Sequence, residues 1–379
     1  MRASIVAAAR TPIGKRRGSL RDVRPDDLLA GLILDLVEQS GVAPGEIDDV
    51  IVGCSTPVGE QGWNIARQAA LIAGLPHSVP GVTVNRMCAS SDQAVRYAVR
   101  AVESGDASVV VAAGVESMSR VEMTSDGTSF SPRLNAQGIT LPQQGKSAEL
   151  IARAYELPRD ELDELAVESH RRASAAAEAG LFDAEIVVVK DPEGEALLCR
   201  DEGVRAGTSF EALAALPPAF VEDGVITAGN SSQMSDGAAG VLVMADDVAK
   251  YLGLAPRARL VSAATVGSDP VLQLTGVVEA TGTALKRAGI ALDDLDHVEV
   301  NEAFAPVPLV WMRNFGFDPA RVNPLGGAMA LGHPLGATGA RILVTMIHAL
   351  ERAGGGLGMQ TMCIGHGMAN ATVFEVDPS

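Results

Sequence analysis

Positive charge is scarce in this chain: 30 lysines and arginines stand against 47 aspartates and glutamates, a formal net charge of -17. That balance excludes nucleic acid as a partner, because a phosphate backbone needs a basic face. An anionic small substrate would need a local basic patch. Cysteine is sparse too. Cys54, Cys88, Cys199 and Cys363 have no framework spacing, which excludes a disulfide-stapled fold and leads us to expect a reducing, cytoplasmic setting. No apolar run is long enough to cross a bilayer. The basic stretch Met1 to Arg17 is broken by Pro12 and Gly14, and its apolar part, Ile5 to Ala9, is too short for a signal peptide; it reads as a first strand and a turn. Aromatic residues are only 3% of the chain, whereas glycine numbers 40. Small residues allow tight strand–helix packing and close backbone approach to a ligand.

What is present is a chain of 379 residues with 47% hydrophobic content, enough for a large core and two or three domains. Its most informative stretch runs from Val82 to Gly105. Val82 to Val84 reads as a short buried strand, and Asn85 to Met87 as a turn. Ala89 to Ser104 reads as a helix, with Val95, Ala98, Val99 and Val102 on one apolar face and Gly105 as its stop. Cys88 therefore sits where a strand hands over to a helix N-terminus. The free N–H groups there are expected to lower its pKa, and Ser90 and Ser91 to cap the same end. A buried core cysteine and a nucleophile both fit a lone thiol so placed.

Strands are expected at Ser4 to Ala8, Val50 to Gly53, Ser108 to Ala113, Val241 to Met244 and Arg259 to Val266. Helices are expected at Asp26 to Ser40 and Ile65 to Ala73. This alternation implies α/β layers around a largely parallel sheet. Between Ser117 and about Ser232 the texture changes. Thr124 to Gln144 reads as a long loop, Leu150 to Tyr155 and Asp160 to Gly180 as helices, and Ile186 to Val189 as a strand, together an excursion from the core.

The chain also repeats itself. Leu36 to Cys54 lines up with Ala284 to Glu302, matching Gly41 to Gly289, Asp48 to Asp296, and Val50 and Val52 to Val298 and Val300. Val84-Asn85 echoes Val322-Asn323, and the helix ending at Glu103 echoes one ending at Glu351. Two related halves follow. The second carries about ten extra residues before its helix, by the shift in alignment, and they hold the loop Leu331 to Gly339 with His333. Asn301 follows the strand Val298 to Val300 at its carboxyl end, where ligands of α/β sheets bind. Cys363 ends an apolar strand and precedes Gly365-His366-Gly367, a thiol beside backbone N–H groups suited to an oxyanion. Matching positions in two halves would bring two thiols, one imidazole and one carboxamide together, one thiol as nucleophile and the other as acid/base.

These blocks resemble the thiolase family: Cys88-Ala89-Ser90, Asn301-Glu302-Ala303-Phe304, Gly332-His333-Pro334 and Cys363-Ile364-Gly365, with Arg10-Thr11-Pro12, Gly114 to Ser119, Thr227 to Ser232 and Asp236 to Ala239 beside them. The resemblance covers essentially the whole chain. It implies a thiolase-like α/β fold of five layers (α-β-α-β-α) with two duplicated halves, residues 1–117 plus 234–256 and residues 257–379, and an inserted loop domain, 118–233, that binds coenzyme A. It implies a reversible Claisen cleavage of 3-ketoacyl-CoA through an acyl-Cys88 intermediate, with acetoacetyl-CoA synthesis or cleavage as the alternative. It further implies that His333 activates Cys88 and, with a water on Asn301, holds the thioester oxygen. Cys363 would move the proton at the acetyl-CoA α carbon, and the N–H groups of Cys88 and Gly365 would cradle the other oxyanion. Ser232 would touch the pantetheine, and Arg205 would lie near the nucleotide. No cofactor or metal is implied, coenzyme A being a substrate, and a homodimer or homotetramer is expected.

The chain departs from the family pattern at several points. Ser91 and His366 stand where glycines are usual, Gln144 where Met is frequent, and the stretch Thr275 to Thr281 lacks the usual Gly-Pro. These departures bear on the acyl group more than on the reaction. Two other readings remain at this stage. One is a metal site using Cys363 and His366 with Cys88 and His333. The other is an inactive acyl-CoA-binding scaffold.

Overall fold

A computed structural model describes residues 2–127 and 129–378; Met1, Thr128 and Ser379 of the stretches read above lie outside the described residues. The main strands are β1 (Ala3–Arg10), β2 (Asp49–Gly53), β3 (Val82–Val84), β4 (Val109–Ser117), β5 (Ser235–Ala245), β6 (Ala258–Gly267), β7 (His297–Val300), β8 (Gly356–Ile364) and β9 (Met368–Val376). The helices that matter here are α1 (Pro25–Ser40), α2 (Ile65–Ile72), α3 (Ser90–Ser104), α4 (Gln144–Ala154), α5 (Arg159–Glu178), α6 (Gly276–Ala288), α7 (Pro306–Phe315) and α8 (Thr338–Ala353).

The strand order is β7-β8-β9-β6-β1-β5-β4-β2-β3. Among the described residues one pair, Ile5 with Ala258, joins the two halves of this sheet. Each half is mixed: β2 lies parallel to β3 and β4, and β7 parallel to β8, while the remaining pairs are antiparallel. The expectation of a largely parallel sheet is therefore corrected. β4–β5, β1–β5, β8–β9 and β6–β9 pair antiparallel.

Helices α3 and α8 touch strands of both halves and each other, so they form a central layer. A buried cluster built from Val95, Val99, Leu343, Ile347, Val243 and Phe374 fills it. Helices α1 and α2 cover the outer face of the first half, and α6 and α7 that of the second. The layers thus run α-β-α-β-α. Burial on both faces explains why β4 and β5 read as continuous apolar runs without alternation.

The internal repeat is structural. Helix α1 ends on left-handed Gly41 (φ 65°) and α6 on left-handed Gly289 (φ 71°), where L side chains are disfavoured. In each half a short 3-10 turn follows, Pro44–Glu46 or Leu292–Asp294. Its acid reaches back: Glu46 accepts from Ala43 N–H, and Asp294 from Ala291 N–H. Asp48 then accepts from Ser108 and Val109 N–H, and Asp296 from Leu357 N–H, tying each turn to the next strand of its half. The echoed helices are α3 and α8, which end on left-handed Gly105 and Gly354.

Three local expectations are corrected. β3 is an edge strand, and Val82 is 41% exposed rather than buried, since nothing pairs with its outer side among the described residues. Ile186 makes only an isolated bridge to Arg10, and the local strand is Val189–Lys190, paired with Ala196–Leu198. The stretch 124–144 contains a short helix, Pro132–Ala136, capped by the Ser131 hydroxyl.

Candidate active site

The turn before Cys88 is built by side chains. Asn85 Oδ1 accepts from Met87 N–H at 2.7 Å, and Ser90 Oγ accepts from Arg86 N–H at 2.9 Å while donating to Met87 C=O at 2.6 Å. Met87 is held at φ 47°, a left-handed conformation costly for an L residue. Ser90 thus secures the turn, and neither it nor Ser91 caps α3; Ala89 is the cap residue, with no side-chain hydrogen bond. Ser91 instead accepts from Ala340 N–H, in the first turn of α8, at 2.9 Å. Gly114 makes room for it, since a Cβ there would lie 2.5 Å from Ser91 Cβ.

Cys88 is buried, and its thiol is pushed up to about 11. Burial dominates, against the hydrogen bonds of the Gly365 and Cys88 N–H groups, which favour the thiolate. The expected depression of its pKa at the helix N-terminus is corrected accordingly. Cys363 lies inside β8, fully buried, and burial together with the neighbouring Cys88 pushes its thiol further up. Cys88, Ala89, Ile342, Met362 and Ile364 share one apolar cluster, flanked by Met87 and Leu335; Cys363 belongs to the core cluster of the second half, and Cys88 lies close enough to act on its thiol.

His333 comes from the unduplicated loop. Gly332, at φ 104°, turns the chain, and a Cβ there would sit 2.3 Å from Ser235 Oγ. The His333 N–H donates to Gln233 C=O and Ser235 Oγ. Thr338 Oγ1 gives its one proton to Pro334 C=O at 2.8 Å, so at 2.6 Å it accepts from His333 Nδ1–H. Nε2 is then the unprotonated nitrogen, and it faces Asn301 Nδ2 at 3.4 Å. Burial, then the Arg341 guanidinium, lowers His333 to about 3, so the imidazole is neutral. Asn301 hangs on Thr361 C=O, two residues before Cys363, and its Oδ1 is buried with no hydrogen-bond partner among the described residues. A neutral base, two neutral thiols and an unfilled carboxamide oxygen can accept a proton, supply a nucleophile and hold a water.

The rest of the expected site is placed less centrally. His366 is exposed at φ 65°, its ring edge-on to Phe130 with centroids 5.3 Å apart; its N–H donates to Gln273 Oε1 at 2.8 Å. Ser232 is half-buried and donates its N–H to Ala303 C=O, which brings it against the Asn301 block. The Arg205 side chain is exposed, and its N–H donates to His170 Nδ1. Among the described residues, no group of three His, Cys, Asp or Glu side chains is placed to hold a metal ion.

Several positioning groups were given no role from the sequence. Buried Glu116 accepts from Ser55, Thr56 and Gly336 N–H and from Gln61, bolting the His333 loop to the first half. Arg10 is fully buried between Glu185 and Asp201 and anchors the excursion to β1. Gln273 donates to Pro142 C=O and Ser147 Oγ, tying the start of α4 to the loop of His366. Thr338, five residues beyond His333 at a helix start, had a signal in its spacing; Gln273 had none.

Known proteins are similar to this chain along nearly its whole length. A steroid 3-ketoacyl-CoA thiolase of Mycobacterium tuberculosis is 45% identical over 98% of this chain and 94% of its own. A 3-ketoacyl-CoA thiolase of Bacillus subtilis is 44% identical over 99% of each chain. The crystal structure of the Bacillus anthracis acetyl-CoA acetyltransferase superposes with a TM-score of 0.91 at 37% identity, covering 99% of this chain and 98% of that one. Residues 3–247 match the model of the thiolase N-terminal domain and residues 254–376 that of the C-terminal domain. The two halves that meet around Cys88 and Cys363 are therefore those of an acyltransferase, and the chain belongs to the thiolase family.

Proposed function

We propose that the protein is a 3-ketoacyl-CoA thiolase acting in the degradative direction. The observation that carries this is two buried, interacting thiols, Cys88 and Cys363, in a chain that sets a neutral His333 against Asn301. The Cys88 proton passes to His333 Nε2, and the sulfur attacks the 3-keto carbon, whose oxygen is held by the Cys88 and Gly365 N–H groups. The C2–C3 bond breaks, its electron pair forming the acetyl-CoA enolate, whose oxygen faces His333 and a water on Asn301. Cys363 gives its proton to C2. The thiol of a new coenzyme A loses its proton to the Cys363 thiolate and attacks the acyl-Cys88 carbonyl. The Cys88 thiolate takes its proton back from His333, and every group is reset. Coenzyme A acts as substrate, with no resident cofactor or metal.

Residues 118–233 form the unit that receives coenzyme A, with Ser232 at the pantetheine and Arg205 near the nucleotide. Exposed His366 and Phe130, in ring contact next to Gly365, bear on acyl size. The exposed edge strand β3, with Trp63 98% exposed nearby in sequence, supports a homodimer or homotetramer. No helix among the described residues is long and apolar enough to cross a membrane; four free cysteines support a cytoplasmic site. Thiolysis across a chain-length panel of 3-ketoacyl-CoAs tests the reading. Turnover of chains longer than acetoacetyl-CoA is expected. Turnover of acetoacetyl-CoA alone would favour the acetyltransferase alternative, and turnover of none would leave an acyl-CoA-binding scaffold.

A further inference from the structure

Gln144 is the first residue of α4, and its Nε2 is buried beside the Cys88 sulfur with no nitrogen or oxygen partner among the described residues. A buried amide without a partner is costly, and a folded protein rarely keeps one unless a ligand or water completes it. Its place is informative. Gln144 favours the thiolate of Cys88, and Nε2 lies 3.5 Å from where a Cβ on Gly365 would stand. Met87 Sδ closes the same corner, and Met362, Ile364 and Leu335 line the neighbouring cluster, so the surrounding side chains there are apolar.

The amide is also held in place. Gln273 Nε2 bonds Pro142 C=O at 2.7 Å and Ser147 Oγ at 3.1 Å, and Ser147 Oγ donates to Val271 C=O at 2.7 Å. The backbone on both sides of Gln144 is thus pinned to the segment preceding α6. Gln273 Oε1 accepts from His366 N–H, the residue after Gly365, so one side chain fixes both Gln144 and the loop that carries Gly365. This is a preorganised polar group at the start of an otherwise apolar acyl site.

We infer that Gln144 recognises an oxygen on the acyl chain itself, so that the enzyme's substrates are 3-ketoacyl-CoAs bearing a hydroxyl or carbonyl oxygen on the carbons next beyond the reacting keto group. A hydroxyl suits the amide in either orientation, because it both donates and accepts. A plain alkyl chain would bury the amide against methylenes and leave it unsatisfied. A site built around a hydrogen bond discriminates against the analogue lacking it far more sharply than an apolar pocket discriminates by size. The inference rests on the thiolase reading above and narrows its substrate class.

The test is a matched pair: a straight-chain 3-ketoacyl-CoA and the same chain with one hydroxyl on the second carbon beyond the keto carbon. Thiolysis of both is measured as kcat/KM with the wild-type enzyme, with Gln144→Met and with Gln144→Leu. The wild-type enzyme is expected to favour the hydroxylated member by about tenfold or more. Gln144→Met should bring that ratio close to one, mainly by loss on the hydroxylated substrate. A wild-type ratio near one overturns the inference without any variant, and so does a preference that survives in both variants. An equal fall on both substrates also overturns it, since Gln144 would then act on the carbonyl they share. If neither substrate is cleaved while longer or shorter unsubstituted chains are, the inference fails and the thiolase reading stands. If no 3-ketoacyl-CoA is cleaved at all, both fall.

Discussion

The two halves of the chain solve one folding problem in the same way and then diverge where chemistry is done. In each, a helix ends on a left-handed glycine, a 3-10 turn is closed by its own acid, and an aspartate ties that turn to a neighbouring strand (Asp48 in the first half, Asp296 in the second). Beyond the following strand they part. The first half passes through a tight turn of Asn85 to Met87 straight to Cys88 and α3. The second inserts the loop of His333 before α8 and delivers its own thiol from within a strand, at Cys363. The duplicated part supplies scaffold, and the unduplicated part supplies the imidazole of His333. The two thiols are both buried, yet their surroundings differ. Cys88 has two backbone N–H groups aimed at it, whereas Cys363 has its own N–H and the neighbouring sulfur.

The comparison is broken most severely at the nucleophile. Cys88→Ser is nearly isosteric and should keep the fold while lowering thiolysis by roughly 10⁴-fold or more. Mass spectrometry after mixing with acyl-CoA should find no adduct; full turnover with an adduct elsewhere would remove Cys88 from its role.

The resting charge state gives the next effect. With the Cys88 thiol pushed up to about 11, little thiolate is present near neutrality, and each pH unit below that value should lower the reactive fraction about tenfold. Inactivation by iodoacetamide should therefore keep accelerating above pH 9, where an ordinary thiol with pKa about 8.5 has levelled off. A plateau near pH 8 would mean that the N–H groups of Gly365 and Cys88 outweigh burial.

Much of this architecture was legible in the sequence for a physical reason. Apolar spacing at 3.6 residues marks α1 and α3, whose inner faces are buried, and Gly41, Gly105 and Gly289 mark ends where only a left-handed residue fits. The repeat was visible because Asp48 and Asp296 do the same local work. Burial at Val82 was not legible, since an apolar strand looks alike at an edge and in a centre. Nor was the sign of the Cys88 shift. A helix start can be read from sequence, but desolvation depends on Met362, Ile364 and Ile342, which arrive from the far end of the chain. The roles of Ser91 and Gln273 were hidden for the same reason, each partner lying over a hundred residues away.

The scaffold can be probed directly. Asp48→Ala frees two backbone N–H groups near the surface and Asp296→Ala frees one, and each change should cost about 1 kcal/mol in denaturant unfolding. Similar costs would show that the repeat is energetic as well as geometric; a large imbalance would mean that one half carries the stability. The smallest effect is expected at His366. Its left-handed backbone strains an L residue by about 1 kcal/mol, which His366→Gly should recover in part, offset by loss of the Phe130 contact. The ratio of kcat/KM for short and bulky substrates should shift by a few-fold, and an unchanged ratio would leave the ring a structural role only.

The central claim is that the two halves contribute thiols with different duties, and Cys363→Ala separates them. Acetyl-CoA is mixed with this variant in D₂O, and two quantities are followed by mass spectrometry: acetylation of Cys88 and deuterium entry at the acetyl α carbon. The account predicts an acetylated Cys88 with deuterium entry abolished. Exchange at the wild-type rate, or an enzyme whose Cys88 no longer takes the acetyl group, would contradict it.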